Sequence, residues 1–362
     1  MEYQHGGDIY TNSVNLDYSA NINPYGLPKR VGEAICHAVE DSSRYPDSQS
    51  SALRKKLSEF HGVSEDAIVC GNGAADLIFQ VVSAIRPEQA LLISPSFLEY
   101  EQALHTVSCN ITYYDLKKET GFLLNVYELI SWIEESRIQF SMIFLCNPNN
   151  PTGFAVLKED MEVFLDYCKS KQIFCVMDEC FNEFLDDPHR YSVLESMNEQ
   201  AFDSVFLLKA FTKIYAMAGI RLGYGICYDR NLLDRIHSLR QPWSVSSLAQ
   251  AAGEAALSET EYVKETRKLI SSEREFLKSQ LSSLGFYVYD SMANYIFFQD
   301  TRDEAIGKDK LLYHQMLSKK VLIRSCGNYR GLDGTYYRIC VKQREENEEF
   351  LSILKTILEK GE

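Results

Sequence analysis

The chain has 362 residues, 45% of them hydrophobic and 24% charged, and 37 basic against 51 acidic side chains leave a net charge of −14. That composition excludes a disordered, collagen-like or disulfide-scaffold chain, and its acidity repels the phosphate backbone of nucleic acid and the anionic face of a membrane, so neither is expected as a partner. The length allows one large core plus a second lobe, and a small anionic substrate stays open because a few arginines placed in a cleft override the global sign.

Met1 to Tyr10 is polar and acidic and lacks the basic and apolar regions of a signal peptide. No apolar run reaches the ~20 residues of a membrane span. Ten cysteines lie scattered from Cys36 to Cys340 with no CxxC pair and no Cys/His cluster at zinc spacing. They predict reduced thiols, no metal site and a cytoplasmic location.

Short apolar runs then alternate with amphipathic stretches. Ala67 to Cys70, Ala90 to Ile93, Ile111 to Tyr114, Ser141 to Leu145, Ile173 to Met177, Ser204 to Leu208 and Tyr224 to Cys227 predict seven buried strands. Helical spacing marks Ala75 to Ile85 and Lys158 to Lys171. Alternating strand and helix imply an α/β fold with a mostly parallel sheet, whose ligands lie at the carboxyl ends of the strands. After about residue 240 the texture changes. One long helix is expected from Leu248 to Leu284, then strands at Tyr287 to Tyr289, Tyr295 to Phe298, Val321 to Arg324 and Tyr336 to Val341, and a closing helix from Glu345 to Lys360. That block reads as a smaller α+β domain.

Three polar features follow three of the predicted strands. Asn147-Pro148-Asn149-Asn150-Pro151-Thr152-Gly153 follows the fourth, Asp178-Glu179 the fifth, and Lys209-Ala210-Phe211-Thr212-Lys213 the sixth. An amide, a carboxylate and a lysine thus converge on one rim of the sheet. A desolvated lysine there has a lowered pKa and a free amine for a carbonyl. A nearby carboxylate keeps a pyridine nitrogen protonated, the arrangement that pyridoxal phosphate needs as an electron sink. Gly71-Asn72-Gly73-Ala74-Ala75-Asp76, between a strand and a helix, offers backbone N–H groups to a phosphate. Each feature alone is compatible with a plain turn or a helix cap; their order on successive strands is what points to a site.

With Asn150-Pro151-Thr152-Gly153, Asp178-Glu179 and the run from Thr212-Lys213 to Gly219-Ile220-Arg221-Leu222-Gly223, the chain resembles the class I/II aminotransferase group of fold type I pyridoxal-phosphate enzymes. The resemblance implies a seven-stranded sheet with helices on both faces, an N-terminal segment over residues 1–40, a large cofactor-binding domain over 41–245 and a small α+β domain over 246–362. It implies pyridoxal 5'-phosphate as cofactor. Lys213 would bond the cofactor covalently and move protons, and Asp178 would pair with the pyridine nitrogen. Asn150 would bond the ring's 3-oxygen, Phe97 would stack on the ring, and Gly73, Ala74, Ala75, Thr212 and Arg221 would surround its phosphate. Tyr45, in Arg44-Tyr45-Pro46, matches a tyrosine that reaches the phosphate of a second subunit, which implies a homodimer.

Nearly end to end, the chain is most similar to the threonine-phosphate decarboxylase subset of that group, with the histidinol-phosphate aminotransferases as close relatives. The pieces that carry this are His5-Gly6-Gly7, Ser19-Ala20-Asn21-Ile22-Asn23-Pro24, Gln241-Pro242-Trp243-Ser244-Val245, Ala293-Asn294-Tyr295 and Ile323-Arg324-Ser325-Cys326-Gly327-Asn328-Tyr329. The implied reaction is decarboxylation of O-phospho-L-threonine to an aminopropanol phosphate in cobalamin biosynthesis; the alternative is transamination of histidinol phosphate with 2-oxoglutarate. Either substrate is an amine bearing a phosphate monoester. Substrate contacts are implied for His5, Gly6, Gly7, Asn23, Asn150, Arg324 and Arg338, with Arg338 on a carboxylate and Arg324 on the phosphate. Two positions depart from the transaminase pattern. Phe181 stands where a tyrosine is usual, and Ala210 replaces a hydroxyl residue near the cofactor phosphate, a loss that Thr212 or Lys209 would have to offset.

Overall fold

The computed structural model of the protein describes residues 5–197, 202–302 and 310–360; of the N-terminal stretch read above, Met1 to Gln4 lie outside them. Thirteen strands occur among the described residues: β1 Leu16–Asp17, β2 Ile68–Gly71, β3 Gln89–Ser94, β4 Asn110–Asp115, β5 Met142–Cys146, β6 Phe174–Asp178, β7 Val205–Ala210, β8 Gly223–Ile226, β9 Tyr287–Val288, β10 Tyr295–Gln299, β11 Val321–Leu322, β12 Arg324–Ser325 and β13 Tyr336–Cys340.

Strands β2 to β8 are the seven expected from the apolar runs, but β4, expected to be buried, is the edge strand and is only half-buried, because one side of it has no neighbouring strand. They form one sheet in the order β2-β8-β7-β6-β5-β3-β4, parallel except for β8, which runs antiparallel to both of its neighbours. The interior strands are buried on both faces, and side chains alternate between two hydrophobic layers. In β6, Cys175 and Met177 belong to one layer and Val176 to the other; in β7, Val205 and Leu207 oppose Phe206, Leu208 and Ala210. Continuous apolar runs with no polar alternation therefore mark these strands.

A second sheet, β12-β13-β10-β9, is antiparallel, and its residues share one hydrophobic cluster with those of the closing helix Arg344–Lys360. The N-terminal segment joins the parts. Strand β1 pairs in parallel with β11, and the Tyr18 carbonyl accepts from the Cys340 amide at 2.8 Å. Asn23 reaches the other way, donating from Nδ2 to the Ile214 carbonyl at 2.7 Å and to Thr266 Oγ1 at 2.8 Å.

Two expectations need correction. The single helix over Leu248 to Leu284 is two helices, Ser247–Ala256 and Thr260–Ser283. The chain leaves helical geometry at Glu259, with ψ 48°, because the first helix packs on Lys29–Ala38 and Ser51–His61 and the second on the small sheet and the closing helix. Both halves are amphipathic, so the pattern runs on across the bend. The run Val321 to Arg324 likewise divides. Val321–Leu322 follows β1, whereas Arg324–Ser325 turns to pair with β13.

Candidate active site

A cavity of about 320 Å³ lies at the carboxyl ends of β5, β6 and β7, between the large sheet and the small one. The strand alternation that builds the sheet decides what enters it. Asp178 is the last residue of β6, in register with Cys146 of β5 and Leu208 of β7. Lys213 sits on the single helical turn Phe211–Ile214 that caps β7.

Asp178 is buried. Its Oδ2 accepts from the Tyr100 hydroxyl at 2.7 Å and its Oδ1 from the Cys180 amide at 2.9 Å. Burial pushes the carboxyl above its ordinary range, while the hydrogen bonds from Cys180 and Tyr100 favour the anion. Tyr100 is held in turn by stacking on Phe144, with ring centroids 4.7 Å apart, and by an edge contact with Phe97 at 5.5 Å. Lys213 has no hydrogen-bond partner among the described residues. Desolvation first, then the Arg338 guanidinium, lower its pKa to about 8, so roughly a tenth of the amine is unprotonated at pH 7, far more than for an ordinary lysine. Phe181 lies against it, with Nζ 6.0 Å from the ring centroid.

One end of the cavity is built for an anion. The helix Ala74–Ile85 opens there, preceded by Gly73 at φ +87°. A Cβ on Gly73 would lie 2.4 Å from Arg221 Nη2, and one on Gly223 would lie 2.5 Å from the Ala74 nitrogen, so both glycines permit the close approach of Arg221, strand and helix end. Arg221 itself is left-handed at φ +65°, and among the described residues its guanidinium donates only to the carbonyls of Ala218 at 3.1 Å and Asn72 at 3.5 Å. Free amides at a helix start, a guanidinium with no carboxylate partner among the described residues, and the buried Thr212 form a donor set suited to a phosphate.

The small sheet closes the opposite wall. Arg324 of β12 and Arg338 of β13 are directly opposed in the antiparallel register, and both are buried. Two like charges side by side are destabilising, and neither has a carboxylate partner among the described residues. Arg324 donates to the Ser325 carbonyl at 2.7 Å and to Asn328 Oδ1 at 2.8 Å and rests over the Tyr329 ring. Arg338 donates to Asn150 Oδ1 and, at 2.9 Å, to the Ser19 carbonyl, with its Nε buried and unpartnered. The arrangement asks for anions.

The cavity thus brings together His5, Gly6, Ala74, Ala75, Phe97, Asn150, Asp178, Thr212, Lys213, Arg221, Arg324 and Arg338 as expected. Other residues named above lie outside this lining. Asn23 is outside the lining: its side chain ties the N-terminal segment to the turn after Lys213, and Asn21, two residues earlier, lines the cavity instead. The Gly7 amide is engaged by Ser19 Oγ at 2.7 Å. Lys209 cannot replace the missing hydroxyl near Ala210, because adjacent strand residues face opposite sides and its ammonium is buried between Glu179 and Glu183, 3.3 Å from each. Tyr45 lies outside the cavity, 79% exposed and stacked on Trp243. Sequence reasoning overlooked Glu99, Tyr100, Cys146, Cys180 and Tyr329. The spacing of Glu99 and Tyr100, two and three residues past the ring-stacking candidate Phe97 on one turn, was the signal available for two of them.

Fold and site together define a pyridoxal-phosphate-dependent enzyme of fold type I. The family model of the class I and II aminotransferases matches residues 13–354, and the chain belongs to that family. Its relatives include the threonine-phosphate decarboxylase of Salmonella typhimurium, 34% identical over 95% of this chain and 91% of the other. Histidinol-phosphate aminotransferase 2 of Carboxydothermus hydrogenoformans is 32% identical over 96% of this chain and 92% of its own length. Among solved structures, the histidinol-phosphate aminotransferase from Clostridium acetobutylicum superposes with a TM-score of 0.86 at 30% identity, covering 95% of this chain and 99% of that one. No described helix is long and apolar enough to cross a membrane.

Proposed function

We propose that the protein decarboxylates O-phospho-L-threonine to an aminopropanol phosphate, a step of cobalamin biosynthesis. The observation that carries this reading is the opposed, buried pair Arg324 and Arg338, which supplies two cationic sites on one wall. Phosphothreonine bears both a phosphate and a carboxylate. Histidinol phosphate bears only the phosphate, so the decarboxylase substrate uses both sites at once. The 34% identity to the Salmonella typhimurium decarboxylase supports the same choice.

Bound pyridoxal 5'-phosphate supplies the electron sink for the bond broken at the substrate α-carbon. Ala74, Ala75, Thr212 and Arg221 would hold its phosphate, Asp178 its pyridine nitrogen, Phe97 one ring face, and Lys213 would carry it covalently. The Asn150 Oδ1 is engaged by Arg338, which leaves Nδ2 for the ring's 3-oxygen. The protein's own part is orientation. Arg338 would grip the carboxylate and Arg324 the phosphate, so remote binding energy would fix how the substrate presents its α-carbon. In the decarboxylation CO₂ would leave from the α-carbon, and Lys213 would deliver the proton that replaces it at Cα.

The N-terminal segment and the domain over 246–362 act as one wall against the large domain over 41–245. A homodimer fits the exposed Tyr45–Trp243 stack, with Tyr45 offered to a neighbouring subunit's phosphate. Ten free thiols, most of them buried, support a reducing cytoplasm. The test is CO₂ release from O-phospho-L-threonine by the cofactor-loaded protein with no keto acid present. Catalytic release is expected. Absence of CO₂, with transfer of the amino group from histidinol phosphate to 2-oxoglutarate, would replace this reading with the transaminase.

A further inference from the structure

Glu99 and Asp178 are the two carboxylates among the cavity's lining residues, and Asp178 is engaged by Tyr100 and Cys180. Glu99 has no place in the chemistry described above. It stands two residues beyond Phe97, 12% exposed, with Oε1 3.0 Å from His5 Nδ1. Its second oxygen, Oε2, is buried without a hydrogen-bond partner. A buried carboxylate oxygen left bare costs stability unless the site gains from it.

The gain lies in His5. The imidazole is 54% exposed and touches Glu99 through Nδ1; Nε2 has no partner among the described residues. The segment behind it is pinned, since a Cβ on Gly6 would lie 2.2 Å from the Ser19 carbonyl oxygen and Gly7 bonds Ser19 Oγ. The backbone therefore delivers His5 to the cavity mouth, and Glu99 decides how the ring is turned. We propose that Glu99 is a positioning residue of the phosphate subsite: by engaging Nδ1, it turns His5 Nε2 toward the substrate phosphate that Arg324 meets from the small domain. This rests on the reading of a phosphorylated substrate.

The charged groups that face His5 are Glu99, from the turn after Phe97, and Arg324, from β12. Their effects oppose: the Glu99 hydrogen bond raises the His5 pKa and Arg324 lowers it, with the net direction upward. A phosphate monoester has its second pKa near ~6, so near neutrality it carries close to two negative charges, against one on a carboxylate. A His5 that Glu99 helps to keep protonated therefore pairs with more charge on a phosphate, and the subsite thereby favours phosphate.

The experiment uses cofactor-loaded protein with labelled histidines, the His5 signal being assigned by its absence in His5→Asn. In Glu99→Gln the His5 titration is expected to move to lower pH. The Kd for O-phospho-L-threonine at neutral pH should rise roughly five- to tenfold, the loss of one charge-assisted hydrogen bond. Adding Glu99→Gln to His5→Asn should then cost nothing further, because the carboxylate acts only through the ring. An unmoved His5 titration in Glu99→Gln, or full additivity of the two substitutions, overturns the proposal. If Glu99→Gln does not fold, Glu99→Asp serves, with the same displacement of the His5 titration and smaller loss of affinity expected. A failure of the substrate reading looks different: wild-type protein then neither binds O-phospho-L-threonine nor releases CO₂, while the histidine titration is unaffected.

Discussion

A lysine that must offer a neutral amine is a burden on the fold that holds it. Lys213 is desolvated, with no hydrogen-bond partner among the described residues, and its pKa falls from 10.5 to about 8. Between these values the unfolded chain binds more protons than the folded one, so this group makes stability rise with pH across that window. Below about pH 8 the penalty on the charged form is complete and amounts to ~3 kcal/mol. Cofactor-free Lys213→Met is therefore expected to melt above cofactor-free wild type at pH 7, with the gap shrinking as the pH approaches 10. Thermal unfolding of the two proteins across that range measures it, and a gap independent of pH would contradict desolvation of the ammonium as the cause. The same substitution should end covalent retention of the cofactor, since no other amine lines the cavity among the described residues. Stability and function pull apart at this position, as expected of a site whose charges wait for a ligand.

Strand β7 shows how one element serves two purposes. Its alternation points Ala210 toward the cavity and Lys209 to the opposite layer, where the ammonium lies between Glu179 and Glu183. Arg267 reaches Glu183 from the helix Thr260–Ser283 at 2.7 Å, so the network ties the strand beneath Lys213 to the helix that follows the bend. Replacing Lys209 by methionine leaves buried carboxylates short of their counter-charge, and a loss of about 3–5 kcal/mol is expected, read as a lower urea midpoint. Cofactor affinity should change far less, because Lys209 faces away from the phosphate end. A mutant that kept its stability but lost the cofactor would instead restore Lys209 as a phosphate ligand. The pair β12 and β13 makes the complementary case. Their register alone brings Arg324 opposite Arg338, and no feature of either run taken separately announces it.

At the scale of the whole molecule, the site depends on segments from both ends of the chain meeting the middle. His5 and Gly6, the large-sheet residues from Ala74 to Arg221, and the arginines of β12 and β13 share one cavity. Tyr45 stays outside it, stacked on Trp243, which is itself 46% exposed. Two chains per particle are expected by sedimentation equilibrium, and Tyr45→Ala should weaken cofactor retention without altering the covalent attachment through Lys213. A monomer that binds the cofactor as tightly as the wild type would remove the subunit-bridging role.

What could be read from the chain itself was whatever rests on local chemistry. Apolar runs marked the large sheet because its interior strands, buried on both faces, need continuous apolar residues, whereas the edge strand β4 is only half-buried. Lys213, Asp178, Asn150 and the Gly73-Ala74-Ala75 turn were legible because each follows such a run, where parallel strands present their ligands. Helical periodicity could not show the bend at Glu259, since two amphipathic helices in succession carry one continuous pattern. Nor could it divide Val321 to Arg324 between two sheets, choose Asn21 over Asn23, or send Lys209 away from Ala210's side. Those outcomes, together with the Glu99–His5 contact and the Arg324–Arg338 pair, join residues far apart in sequence. Packing and strand register decide such contacts, and these exist only once the distant segments have come together.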